Sequence, residues 1–301
     1  MKKRAESFFQ ELQDEICSTL ETVDGRGKFV EDTWDYAPGD GTGDGGGRSR
    51  VLTGGAVFEK GGVNVSSLHG ELSPKLAERL EVADRRFFAT GISLVVHPES
   101  PLVPTVHLNL RYLQLFDADG GPSRAWFGGG ADLTPYYPDD EAAVLFHQAM
   151  KDACDAYAAD AYARFKRDCD EYFYLSHRGE TRGIGGIFFD YLEDDPERTF
   201  ELVRRVGASF NHVYPEIVDG RKARTWTELQ REWQLHRRGR YVEFNLIHDR
   251  GTLFGLETKG RTESILMSLP PLVRWTYGHR PEPGSPEARL LELLQTPRDW
   301  L

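Results

Sequence analysis

HLNLRYLQLF, residues 107–116, alternates polar and apolar side chains along most of its length. A period of two puts His107, Asn109 and Arg111 on one face of a strand and Leu108, Leu110 and Tyr112 on the other, with same-face neighbours about 6.6 Å apart. One face packs; the other offers a line of polar groups. GISLVVH (91–97) precedes it and AWFGGGADLT (125–134) follows it, through connections too short for crossover helices, so antiparallel pairing is expected. RSRVLTGGAVFEKGGVNVSSLHG, from Arg48, suggests further short strands around paired glycines. RYVEFNLIH (240–248) also reads as a strand, turning at Asp249-Arg250-Gly251 into TLFGLET.

Helices frame these strands. Phe8, Leu12, Ile16 and Leu20 recur every fourth residue and predict an amphipathic helix over 2–22, ending near Gly25. Others are expected at 139–172, at 196–213 with Asp195 as N-cap and Pro196 at N1, at 221–238, and at 286–295 opened by Ser285 and Pro286. No internal repeat or linker divides the chain. The expectation is a single α+β domain over 1–301: a large, mostly antiparallel sheet flanked by helices on both faces.

Composition narrows the function. Of 301 residues 37 are basic and 48 acidic, a net charge of −11, which argues against nonspecific nucleic-acid binding. Nine of the basic residues are Lys and 28 Arg, compatible with GC-rich coding or with guanidinium forks that grip carboxylates. Cys17, Cys154 and Cys169 form no CxxC pair, so neither a disulfide framework nor a zinc ribbon is supported and a reducing compartment fits best. The N-terminus lacks an apolar signal core, and no run approaches 18 apolar residues. A cytoplasmic protein is expected.

The candidate chemistry sits on a few stretches. A polar strand face can be a plain solvated surface, or the floor of a site carrying His107, Asn109 and Arg111. Gly128–Gly130 in an aromatic run fit close approach of a ligand or of another backbone, with Asp132 just beyond them; a bulge with Asp132 capping a turn is the alternative. RGIGGIFFDYL, from Arg182, repeats the arrangement as far as Asp190. Arg250 at a tight turn and Lys259-Gly260-Arg261 suit an anion. His97, His107, His147 and His177 show no compact ligand spacing, so a metal site requires the fold to assemble them. The formal GxGxxG at Gly41, Gly43 and Gly46 has neither a preceding strand nor a following helix, and no GxSxG elbow is present.

GVNVS, SLVVHP followed by HLNLRY, WFGGGADLTPYY, DEYFYLSHRGETRGIGGIFFD and YVEFNLIHDRGTLFGLETKGRTESILMSLPPLVRW together closely resemble the oxygen-dependent coproporphyrinogen III oxidases, from about Phe29 to the C-terminal RDW. The resemblance implies a homodimer on a large antiparallel sheet, with residues 241–276 as dimerisation segment. It implies conversion of the ring A and B propionates of coproporphyrinogen III to vinyl groups, giving protoporphyrinogen IX, with O2 as oxidant and CO2 and H2O2 released. It gives His107 the part of proton donor and places Asp132 and Arg250 near the pyrrole nitrogens and in carboxylate binding. Substrate contacts fall on Ser93, Asn109, Leu110 and Arg111 and on Lys259, Gly260 and Arg261, and a divalent metal, reported for some members only, on His97, His107, His147 and His177. Lys259 departs from bacterial relatives, which often carry Gly there, and the PGDGTGDGGG stretch is an extension.

These residue types suit the substrate. A porphyrinogen is a puckered apolar macrocycle with four inward N–H groups and, here, four propionates, so it calls for a central carboxylate, cations at the rim and aromatic walls. Asp132 can accept from the pyrroles; Arg111, Arg250 and Arg261 can fork onto propionates. No organic cofactor is required, because the electrons leave to oxygen. Two rival classes remain at this stage: a tetrapyrrole carrier without chemistry, and a histidine-ligated metalloenzyme such as a hydrolase.

Overall fold

The computed structural model describes residues 1–36, 44–72, 74–257 and 260–301. Helix α1 (Lys2–Asp24) buries Phe9, Leu12, Ile16 and Leu20 along one stripe and stops at Gly25, whose φ of 77° closes the last turn. Strands β1 (Val30–Tyr36), β2 (Asp44–Thr53), β3 (Phe58–Glu71), β4 (Arg86–Pro98), β5 (Thr105–Phe116) and β6 (Pro122–Thr134) follow, with the short helix α2 (Pro74–Arg79) between β3 and β4. Next come α3 (Asp140–Asp155), α4 (Ala161–Tyr172), the two-residue strands β7 (Tyr174–Leu175) and β8 (Glu180–Thr181), and β9 (Gly186–Leu192). The chain ends in α5 (Pro196–Asp219), α6 (Glu228–Ile247), α7 (Arg250–Glu257), α8 (Thr262–Leu266) and α9 (Pro286–Gln295).

Seven strands form one sheet in the order β1-β2-β3-β4-β5-β6-β9, every pair antiparallel. Leu108 and Leu110 of β5, Ile92, Leu94 and Val96 of β4, and Ala131 and Leu133 of β6 share the face that packs on α1 and α5, and each is at most 1% exposed. Burying one such Leu is worth roughly 1.5–3 kcal/mol. The opposite face carries His107, Asn109 and Arg111 and is only partly covered. There α8 and the chain after it lie across β2–β4: Ser264 bonds Ser49 at 2.7 Å, His97 bonds the Ser268 carbonyl at 2.8 Å, and Lys60 reaches the Leu269 carbonyl. Helices therefore stand on both faces of the sheet.

Three expectations need correction. Residues 240–248 are not a strand but the last turns of α6, and 250–257 are helical too. A capping box at Thr227 and Gln230 opens α6, and Gln234, Arg238, Tyr241 and Asn245 then form its buried stripe. Charged residues buried on that stripe broke the apolar periodicity, so the local β-branched and aromatic content read as strand. Arg238 is fully buried: one guanidinium arm pairs with Glu59 at 2.6 Å, the other donates to the Pro98 carbonyl, and its Nε has no partner among the described residues. The turn at Asp249 is a helix junction, with Asp249 accepting from the Thr252 N–H at 2.7 Å. The span 139–172 is two helices, and 221–238 begins instead at Glu228. Of PGDGTGDGGG, residues 38–43 lie outside the described residues, while Asp44–Gly47 are part of β2.

Candidate active site

Cross-strand register assembles the site. Asp32, Ser49, Asn64, Ser93, Asn109, Gly130 and Phe188 lie on one rung from β1 to β9. On one side of it is the rung Gly47, Ser66, Gly91, Arg111, Gly128; on the other, Gly62, Val95, His107, Asp132, Gly186. Residues far apart in sequence are thereby set about 4.8 Å apart across strands and 6.6 Å along them.

At the centre is a buried ion pair that sequence reasoning missed. Arg182, in the turn before β9, donates to both Asp132 oxygens, at 2.7 and 2.8 Å, and both side chains are 2% exposed. Its other arm reaches the Asn245 side-chain oxygen at 3.0 Å, and Phe173, Tyr241 and Phe244 cage the guanidinium, with ring centroids 4.0, 4.5 and 4.8 Å away. Burial alone would raise the Asp132 pKa, but the adjacent Arg182 charge, with the bond from His107, holds it below the usual carboxylate value. The one signal in the sequence was indirect: a strand-borne Asp flanked by glycines and aromatics needs a counter-charge once buried.

His107 sits on the same carboxylate. Its Nδ1–H donates to Asp132 Oδ1 at 2.8 Å, which fixes the tautomer and leaves Nε2 as the edge that bonds to no described residue. The His107 side chain is 19% exposed, so this free edge opens onto the polar face. Asp132 therefore does not present its oxygens to a ligand, as the sequence suggested, nor does it cap a turn. Both oxygens are spent on Arg182 and His107. Two of the three glycines serve the protein's own backbone: a Cβ at Gly129 would lie 2.5 Å from the Asn109 carbonyl oxygen, and one at Gly130 would lie 2.4 Å from that of Ile187.

Arg111 and Arg250 both reach the Phe188 ring. Their guanidinium carbons stand 5.9 and 5.6 Å from the Phe188 ring centroid, although one comes from β5 and the other from the start of α7. Phe188 stacks on Tyr172 with centroids 4.2 Å apart, and Arg250 also lies over Tyr172, whose hydroxyl donates to Asp249 and accepts the Arg250 N–H. The result is an aromatic platform edged by two guanidiniums, beside Asn109 and Ser93.

A model of the coproporphyrinogen III oxidase family matches residues 4–300. The chain belongs to that family. Its activity is accordingly that of an oxidoreductase, the oxidative decarboxylation of coproporphyrinogen III in haem biosynthesis.

The remaining candidates separate. Leu110, expected among the substrate contacts, is 0% exposed and points its side chain into the core on the other face. Arg261 caps α8 and pairs with Asp32 on β1, four strand spacings from Asn109, and Gly260 hydrogen-bonds Gly255. Lys259 lies outside the described residues.

The four histidines do not form a ligand set in this coproporphyrinogen oxidase. His97 donates Nε2–H to Ser268 and its Nδ1 lies 3.3 Å from the Thr105 hydroxyl; His147 donates Nε2–H to Ile184 and takes the Tyr162 hydroxyl at Nδ1. His147 is stacked on Trp300, and burial pushes its pKa down to about 4. His177 is engaged by Glu243 and His248. With these lone pairs committed elsewhere, no group of three or more His, Cys, Asp or Glu among the described residues is arranged to hold an ion. No helix among them is long and apolar enough to cross a membrane.

Proposed function

We propose that the polar sheet face is the reaction site, that O2 is the oxidant, and that His107 Nε2 handles the proton each turnover consumes. One propionate, one O2 and one proton give one vinyl group, one CO2 and one H2O2: two electrons and the β-hydrogen leave to oxygen as the carboxylate carbon departs. The observation that carries this reading is the unpartnered Nε2 of His107, on the sheet face where Arg111 and Arg250 both approach Phe188. Asp132 orients that imidazole, and Arg182 holds Asp132.

The guanidiniums hold propionates over Phe188 and Tyr172. A cation clamped tightly on the departing carboxylate would favour the ground state over a transition state in which that charge disperses, so the strongest grip belongs on propionates that do not react. No step is routed through a metal ion, because His97, His147 and His177 have other partners.

The working unit in this proposal is a homodimer. Leu246, Ile247, Leu253, Leu256, Leu272 and Trp275, all within 241–276, are exposed and supply an apolar face that a second copy can cover. Analytical ultracentrifugation should give twice the chain mass.

Incubation with coproporphyrinogen III in air should consume oxygen and release CO2 and peroxide in equal amounts as divinyl product forms. Tight binding without oxygen uptake would instead favour a carrier. Loss of turnover on exhaustive chelation, restored by a divalent ion, would overturn the metal-free assignment.

A further inference from the structure

The two rim arginines are not equivalent. The Arg250 side chain has no acidic partner among the described residues, whereas Arg111 already pairs with Asp190 of β9 at 2.9 Å and donates to Asn109 at 2.8 Å. Side-chain exposures of 34% and 19% leave this pair at the edge of the site rather than sealed beneath it.

The placement of Asp190 is built into the sheet. Phe127 pairs with Leu192 and Gly129 with Phe189, so β9 carries one extra residue opposite Gly128: a bulge. Tyr191, next to Asp190, takes φ 53°, a left-handed conformation costly for a ring-bearing residue. The extra residue lets Asp190 face Arg111 while Leu192 returns to the apolar side. Gly128 completes the seat, since a Cβ there would fall 2.6 Å from Asp190 Oδ1 and 2.9 Å from Arg111 Nε.

Given the reaction site proposed above, we infer that Asp190 is a specificity-determining residue that masks the charge of Arg111. A guanidinium already neutralised offers a weak grip to a further carboxylate, so this end admits a propionate without locking it. It also tolerates the uncharged vinyl group left after reaction. The unmasked Arg250 then bears on a propionate that stays intact. An internal carboxylate thus distinguishes the end where the acid group is lost from the end where it is kept.

The Asp190→Asn variant keeps the side-chain shape and removes the mask. Both KM and kcat for coproporphyrinogen III should fall at least threefold, because the substrate is held more tightly in its ground state, and Asp190→Glu should restore both. In an Arg111→Gln background the same substitution should change neither. Fluorescence titration with coproporphyrin III, a tetracarboxylate that cannot be decarboxylated here, should show at least threefold tighter binding to Asp190→Asn. That readout is independent of turnover: were the wild type inactive and the titration still tightened, the proposed function would fail and the masking would stand. A raised KM, or unchanged coproporphyrin affinity with wild-type constants, overturns the inference, as does an equal effect without Arg111. If Asp190→Asn fails to fold, Asp190→Ser carries the same expectations.

Discussion

Two carboxylate–arginine pairs of the same chemistry stand on one sheet face and do different work. Asp132 and Arg182 are buried to 2% each, joined by several hydrogen bonds and ringed by aromatics. Asp190 and Arg111 share one ion pair at the edge of the site, at 19% and 34% exposure. Burial decides the difference. An enclosed pair cannot exchange partners without stranding a charge, so it serves as a fixed support for His107; an open pair sits in a medium where, in the reaction proposed, a substrate carboxylate would compete on nearly equal terms.

The sharpest way to break this contrast is Asp132→Ala. It leaves the Arg182 charge buried without a partner, which should cost about 3–5 kcal/mol, lower Tm by roughly 10 °C and abolish activity. Differential scanning calorimetry together with an oxygen-uptake assay reads both effects. A fall in Tm no larger than for a surface substitution would show that Arg182 finds another partner.

His107→Gln should leave folding intact while reducing kcat by about 10³-fold, the range expected on losing a positioned proton donor. Steady-state kinetics decide it, and near-normal turnover would remove His107 from the chemistry.

Asp24 supplies a second kind of buried carboxylate, held by backbone rather than by arginine. Burial would raise its pKa, but N–H donors from Gly27, Ala56, Val57 and Phe58 outweigh that and bring it to about 2. A depressed folded-state value means that its stabilisation is complete above the ordinary carboxylate pKa, near 4, and fades as pH falls toward 2. Asp24→Asn should therefore cost about 2 kcal/mol at pH 7, and the Tm gap to wild type should narrow below pH 4. A gap constant from pH 7 to pH 2 would contradict this.

The mildest change expected is at the open rim. Arg250→Ala should raise KM about tenfold with little change in kcat, as for loss of one charge-assisted contact shared by ground and transition states. A fall in kcat with KM unchanged would move Arg250 from anchoring into the chemistry.

How much of this could be read from the sequence follows from the range of the interactions involved. The faces of β5 were legible because alternation is local, and so were α1 and α9, whose periodicity and caps lie within a few residues. Residues 240–257 were misread because α6 buries paired charges, and those pairings, to Glu59 and Glu180, are distant in sequence. His107 and Asp132 were found singly, but their hydrogen bond depends on the β5–β6 register, and Arg182 arrives from the turn before β9. The Asp190 bulge was invisible, since nothing local marks which residue of Phe188–Leu192 is the extra one. The histidines illustrate the converse, because matching a family pattern position by position does not bring side chains into contact.

Gly128 lies beneath the open pair, where an added methyl group would have to push Asp190 and Arg111 aside. In a saturation library at that codon, complementation of a haem-auxotrophic host should favour glycine and the smallest side chains. The largest side chain that survives would then report, from growth alone, how far the two partners above it can give way.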